Sequence, residues 1–167
     1  MPVTALTISA QPFDPAEWDP YGWVPVPDSD PRDGGSRLDF EWADAHLNLI
    51  GHDAVEVPRT DRGVICEMLF RHQTHTQALM VLNCQAVAVV APPGTEFTSP
   101  HDAGLLRAFL LHPHDVFVLH RGTWHWGPFP VSAPRVDMLN VQGLRYAEDN
   151  ECCRLADIGA SVEVITH

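Results

Sequence analysis

The stretch "LRAFLLHPHDVFVLHRGTWHWGPF", residues 106–129, decides how the rest of the chain is read. Two apolar runs, 106–112 and 115–120, flank turn residues around Pro113, and each is too short for an independent helix. Their valine, leucine and phenylalanine content is that of strands. The ten residues that follow, 120–129, set His120, Arg121, Trp124, His125 and Trp126 among Gly122 and Gly127. Tryptophan suits a core strand, but histidine and arginine resist burial unless each finds a partner or a solvent-lined cavity. The segment therefore reads as the wall of a pocket.

Working outward, the same short apolar runs recur at 38–42, 46–52, 64–71, 77–82, 86–92, 135–141 and 161–167, separated by proline, glycine and asparagine turns. Only "DAGLLRAFLL", 102–111, competes as helix. Fifteen prolines and eleven glycines in a chain that is 45% apolar fit many short elements joined by tight turns. An all-β antiparallel sandwich or barrel of jelly-roll type is expected, as one domain. Residues 11–37 carry six of the prolines and no helical period beyond a single turn near Ala16. This predicts an extended N-terminal arm and loop over 1–37, with "DSDPRDGGS" as its most disordered part, and a β-barrel over 38–167.

Charge narrows the partners. Ten lysine and arginine residues against 22 aspartate and glutamate leave 10 − 22 = −12 with histidine neutral, a surface that repels phosphate backbones and anionic lipid. Neither nucleic acid nor membrane is expected as a partner. Cys66, Cys84, Cys152 and Cys153 form no CxxC pair, and the start of the chain lacks the basic and apolar regions of a signal peptide. Reduced thiols and a cytoplasmic location follow as expectations.

Chemistry concentrates in two places. "RHQTHTQALMVL", 71–82, puts Arg71, His72, His75 and Gln77 before an apolar strand, and His120 to His125 follow another strand. Neighbouring strands displaying alternate residues would aim both sets into one lumen, where histidine and oxygen ligands bind a divalent metal. His46, His52, His101 and His167 are assigned to surface or satisfied core positions, and His112 and His114 to the turn at Pro113. Asp137, a charge within the strand "RVDMLNV", calls for a histidine or arginine partner. Cys66 sits mid-strand with nothing to lower its pKa, and no nucleophile elbow, phosphate loop or dinucleotide fingerprint is present.

The pieces "AEWDPYGWV", "RHQTHTQALMVL", "LRAFLLHPHDVFVLHRGTWHWGPF" and "VDMLNV", in that order over residues 13–142, resemble the ureidoglycolate lyase family, a branch of the cupins. The resemblance implies a cupin-type double-stranded β-helix barrel, a homodimer, and cleavage of ureidoglycolate to glyoxylate and urea. It also implies His72, Gln77 and His125 as metal ligands, with His75 as an additional candidate, and it matches His120 and Arg121 to the family's "HR" pair. The chain departs from the family at Phe70, where a glutamate is usual, at Trp126, which replaces a second histidine, and at Cys84, which replaces a turn glycine.

On this reading a divalent metal (zinc, manganese or nickel) and no organic cofactor would hold a small anionic hydroxy acid. His120 would act as base and His120 or Asp137 as the acid that protonates the leaving nitrogen. Arg71 or Arg121 would clamp the carboxylate, with Trp124 in the binding wall. Two other readings keep the barrel: an enzyme for a different small hydroxy acid or carbinolamine, favoured by Phe70, and a cupin that binds a small acid without turnover.

Overall fold

A computed structural model describes residues 3–42 and 44–166, and within them nearly all regular structure is strand. Thirteen strands are present: β1 (Thr4–Pro12), β2 (Gly22–Trp23), β3 (Ala45–Asp53), β4 (Gly63–Cys66), β5 (Met68–Arg71), β6 (Gln77–Val81), β7 (Ala86–Ala91), β8 (Arg107–Leu111), β9 (Val116–Leu119), β10 (Trp124–Pro130), β11 (Arg135–Gly143), β12 (Glu151–Arg154) and β13 (Ala160–Ile165). They form an eight-stranded sheet in the order β12-β5-β10-β7-β8-β1-β13-β4 and a five-stranded sheet in the order β2-β9-β6-β11-β3. The two sheets make the all-β cupin-type barrel that the spacing and the resemblance anticipated.

Alternation explains which face of each strand does what. On β11, Val136, Met138, Asn140 and Gln142 are buried while Arg135, Asp137, Leu139 and Val141 are more exposed, and β6 buries Gln77, Leu79 and Val81. Leu79 and Val81 meet Val136, Met138, Ala86, Ala88 and Val90 in one core. A second core lies on the other face of the large sheet, where Val87, Val89 and Ala91 pack with Leu69, Trp124 and Trp126. Strand β7 is buried at all six positions because it carries core on both faces.

The arm is more structured than its prolines suggest. Asp14 caps the single helical turn α1 (Pro15–Trp18) through the Ala16 amide at 2.8 Å. Trp18, fully buried, donates its indole N–H to the Val118 carbonyl at 3.0 Å and packs edge-on against Phe13, Tyr21, Phe109 and Phe117. Ahead of it, β1 runs parallel to both β13 and β8, with Leu6, Ile8 and Ala10 on the second core. A strand therefore stands where free arm was expected, in a parallel pairing that the antiparallel expectation did not include. The acidic loop makes turns, with Arg32 forked onto Asp30.

Other boundaries also move. Residues 38–42 form no strand; Phe40 makes an isolated bridge to His75, and Asp39 and Glu41 bond the backbone of Thr76 and Thr74. The run 64–71 splits at Glu67, so that β4 pairs with β13 and β5 with β10 and β12. Residues Pro100–Leu105 take a 3-10 turn before β8, leaving only the first part of 102–111 helical in character. His167 lies outside the described residues.

Candidate metal and substrate site

Between the two sheets lies a cavity of about 390 Å³. The large sheet supplies Met68 and Phe70 from β5 and His125, Trp126 and Phe129 from β10; the small sheet supplies Ile50 and His52 from β3, Gln77 and Leu79 from β6, and Gln142 from β11. His72 enters from the end of β5. Local backbone brings the two imidazole-bearing segments together: Gly122 donates its amide to the His72 carbonyl at 2.7 Å. Gly122 has φ +76, the left-handed region that suits glycine, and an added Cβ would come within 3.0 Å of Gln73. The rings of His72 and His125 consequently lie with centroids 5.3 Å apart.

Each ring is turned by a backbone carbonyl. His72 Nδ1 donates to the Asp149 carbonyl at 3.0 Å and His125 Nδ1 to that of Thr123 at 3.1 Å. A carbonyl only accepts, so the proton sits on Nδ1 and each Nε2 keeps its lone pair, the arrangement that metal-binding histidines use. Gln77 donates its amide to Asn140 at 2.8 Å and Gln142 at 3.3 Å, which leaves its buried Oε1 without a partner. Two imidazole nitrogens and an orphaned carbonyl oxygen are a donor set that fits a divalent cation. Burial pushes His125 down to about 3, with His72 adding to the effect, and burial also lowers His72 although Asp149 opposes it. Both rings are neutral near pH 7, as ligands must be.

His75 lies behind this set. Its ring stacks on His72 at 4.5 Å, aided by Gly143, where a Cβ would come within 2.9 Å of its Nδ1. Burial first, then His72, brings His75 down to about 4. His75 Nε2 is buried without a partner, and its Nδ1 stands 3.5 Å from Asp149. His72, His75 and Asp149 could together hold a metal ion, their ligand atoms lying within 4.8 Å of one another. However, the Asp149 carboxylate already accepts from the Gln73 and Thr74 amides and the Thr74 hydroxyl, and neither it nor His75 lines the cavity. Although burial pushes the Asp149 carboxyl upward, the Thr74 and Gln73 donors outweigh it and hold the group below its ordinary value.

The remaining sequence-expected residues stand elsewhere. Arg71 is out of phase with Phe70 and His72 along β5, so its guanidinium leaves the cavity, forks onto Glu151 at 2.7 Å through two nitrogens and lies 4.3 Å from the Trp124 ring centroid. Trp124 is likewise out of phase with His125 and donates to the Thr95 carbonyl. Arg121 pairs with Asp39 and Glu41. His120 is exposed on the turn after β9, and Asp137 faces outward on β11, bonded to Arg135 at 2.8 Å. None of these five lines the cavity that holds His72 and His125. For Asp137 the anticipated arginine partner is nonetheless present.

In their place the cavity holds His52, whose Nδ1 lies 2.9 Å from the Glu56 carboxylate. Burial alone would raise Glu56, but the Asp53 amide and His52 hold it lower. A carboxylate that orients an imidazole in this way prepares the other ring nitrogen for proton transfer. Read alone, His52 looked like a surface or satisfied core histidine; its signals were the inward phase it shares with Ile50 and the acid four residues on. Gln142 was signalled likewise by its phase with Val136 and Met138.

The profile of the ureidoglycolate lyase family matches residues 35–162. A ureidoglycolate lyase from Pseudomonas fluorescens is 35% identical over 109 residues, spanning 65% of this chain and 58% of that protein, so the chain matches little more than half of the relative's length. Among solved structures, a dTDP sugar isomerase from Desulfovibrio desulfuricans G20 aligns with TM-score 0.42 at 15% identity over 79% of this chain and 73% of that one. An L-ribose isomerase from Cellulomonas parahominis aligns with TM-score 0.39 at 15% identity over 60% and 58%.

Proposed function

Because the chain belongs to the ureidoglycolate lyase family, we propose that it cleaves the carbon–nitrogen bond of ureidoglycolate, releasing glyoxylate and urea. The observation that supports this reading is that His72, His125 and Gln77 line one cavity, with Nδ1 of each histidine and the amide of Gln77 already engaged by other groups. These three residues would hold a divalent cation, which when bound supplies Lewis acidity that makes the substrate hydroxyl easier to deprotonate.

The hydroxyl proton passes through water in the cavity to His52 Nε2, with Glu56 fixing the ring and stabilising the charge it gains. The oxygen lone pair becomes the aldehyde double bond as the carbon–nitrogen electrons leave with the ureido nitrogen. His52 then returns the proton to that nitrogen, so one group serves as base and acid. Gln142 stands beside Gln77 in the cavity wall and accepts from its amide through Oε1.

The protein acts in the cytoplasm as a homodimer. Four unpaired thiols, Cys66, Cys84, Cys152 and Cys153, support the reducing compartment. Leu47 and Leu49, 64% and 69% exposed on the outer face of edge strand β3, support association, which light scattering at working concentration tests. The activity itself is tested by adding ureidoglycolate to the metal-loaded protein and measuring glyoxylate and urea together; absence of both overturns the reading.

A further inference from the structure

The cavity wall carries more apolar surface than a ureido group needs. Its polar lining consists of buried His72, Gln77 and Gln142, half-buried His125 and His52, and exposed Glu56, Glu67, Tyr146 and Asn150. Much of the remaining wall is apolar: Met68, Phe70, Trp126, Phe129, Ile50 and Leu79. Phe70 is paired directly with His125 in the β5–β10 ladder, so the two side chains are neighbours on one face. Trp126 and Phe129 contact each other at 4.4 Å, and His52 tilts onto Phe129 at 4.6 Å, which makes an aromatic flank. Among the described residues no arginine lines the cavity, and the chain contains no lysine.

A carbamoyl group placed beside Phe70 would leave its amino group and carbonyl without partners. A planar apolar group there would be covered on several sides. The volume of about 390 Å³ is in the range of sites for drug-sized ligands, roughly 300–1,000 Å³, and exceeds what a small ureido acid fills.

We propose that the site takes an N-acyl-α-hydroxyglycine whose acyl group is aromatic or similarly apolar, the hydroxy acid end lying at His72, His125 and Gln77 and the acyl group between Phe70 and the Trp126–Phe129 flank. This rests on the lyase reading above for the reaction and goes beyond it in the substrate. The hydroxyl loses its proton, its electrons form the aldehyde carbonyl of glyoxylate, the carbon–nitrogen bond breaks, and the amide nitrogen keeps that electron pair and takes the proton. The products are glyoxylate and a primary amide, and no oxidant or co-substrate is required.

The experiment compares α-hydroxyhippurate with ureidoglycolate as substrates of the metal-loaded protein, and their unreactive counterparts hippurate and N-carbamoylglycine as ligands by calorimetry. The benzoyl compound is expected to have the higher kcat/KM and hippurate the tighter binding, each by roughly tenfold or more. Phe70→Glu should remove the preference for hippurate, and Phe70→Leu, which keeps an apolar wall, should retain part of it. Preference for ureidoglycolate, or equal binding of the two unreactive acids, overturns the proposal while the lyase reading stands. Tight hippurate binding with glyoxylate released from neither substrate supports the apolar acyl pocket and overturns the lyase reading instead.

Discussion

His72 follows β5 and His125 lies on β10, yet their ring centroids are 5.3 Å apart, and each turns its Nδ1 onto a backbone carbonyl. The shared orientation makes the pair a preformed half of a metal site, because the protein fixes both the tautomer and the ring plane before any ligand arrives. Gln77, held by Asn140 on the facing sheet, completes the set.

If the cation sits in the cavity, His125→Ala should lower divalent metal affinity by more than the roughly 10–100-fold typical of losing an outer partner, whereas His75→Ala should stay within that range. Metal content after dialysis, measured on both variants, tests this. A larger loss in His75→Ala than in His125→Ala would place the ion at His72, His75 and Asp149.

His52→Ala should reduce kcat by about 10²–10⁴-fold, the usual worth of a general base, with metal content unchanged. Glu56→Gln should give a smaller loss, since it removes the orienting charge and leaves the base. Steady-state kinetics with elemental analysis of the same samples separates this from a folding defect.

Acid should weaken the metal-free protein. The unfolded chain protonates a histidine near 6.5, while folded His125 is held at about 3 and His75 at about 4. Between those values the unfolded state binds more protons, so the stability these groups contribute is full above about 6.5 and is lost as pH falls toward the folded values. Thermal unfolding from pH 7 to pH 5 should show Tm falling in the wild type and falling less in His125→Gln.

Arg71→Ala should cost about 1–3 kcal/mol of stability, because it strips the Glu151 fork and leaves Trp124 uncovered, while kcat/KM per folded molecule stays close to wild type. Denaturant melts and kinetics on one preparation decide it. A selective loss of kcat/KM would restore the carboxylate-clamp role that its sequence position suggested.

Much of the barrel was legible in the sequence because strand chemistry is local. Runs such as 86–92 and 135–141 carry their β-branched and apolar side chains regardless of partner, and the turns at Pro113 and 92–94 show where they stop. Strand β1 was not legible in the same way. Its alternating Leu6, Ile8 and Ala10 are a weak pattern, and its partners β8 and β13 lie far along the chain. The break at Glu67 was hidden for a similar reason: the run 64–71 is continuous in composition, but its two halves serve different neighbours.

By itself the sequence determined the all-β class, the acidic surface and the residue types available for metal binding, since these follow from composition and from spacing along one chain. Tertiary structure alone decided which polar groups share a cavity. A side chain's face depends on strand phase and on what crosses above it, so Arg71 and His72, adjacent in the chain, part to opposite sides of the sheet, and His52 becomes the neighbour of His125's cavity. The pocket's chemistry is a property of the packed sheets, because only their closure sets the distance and solvent exposure of groups the chain keeps apart.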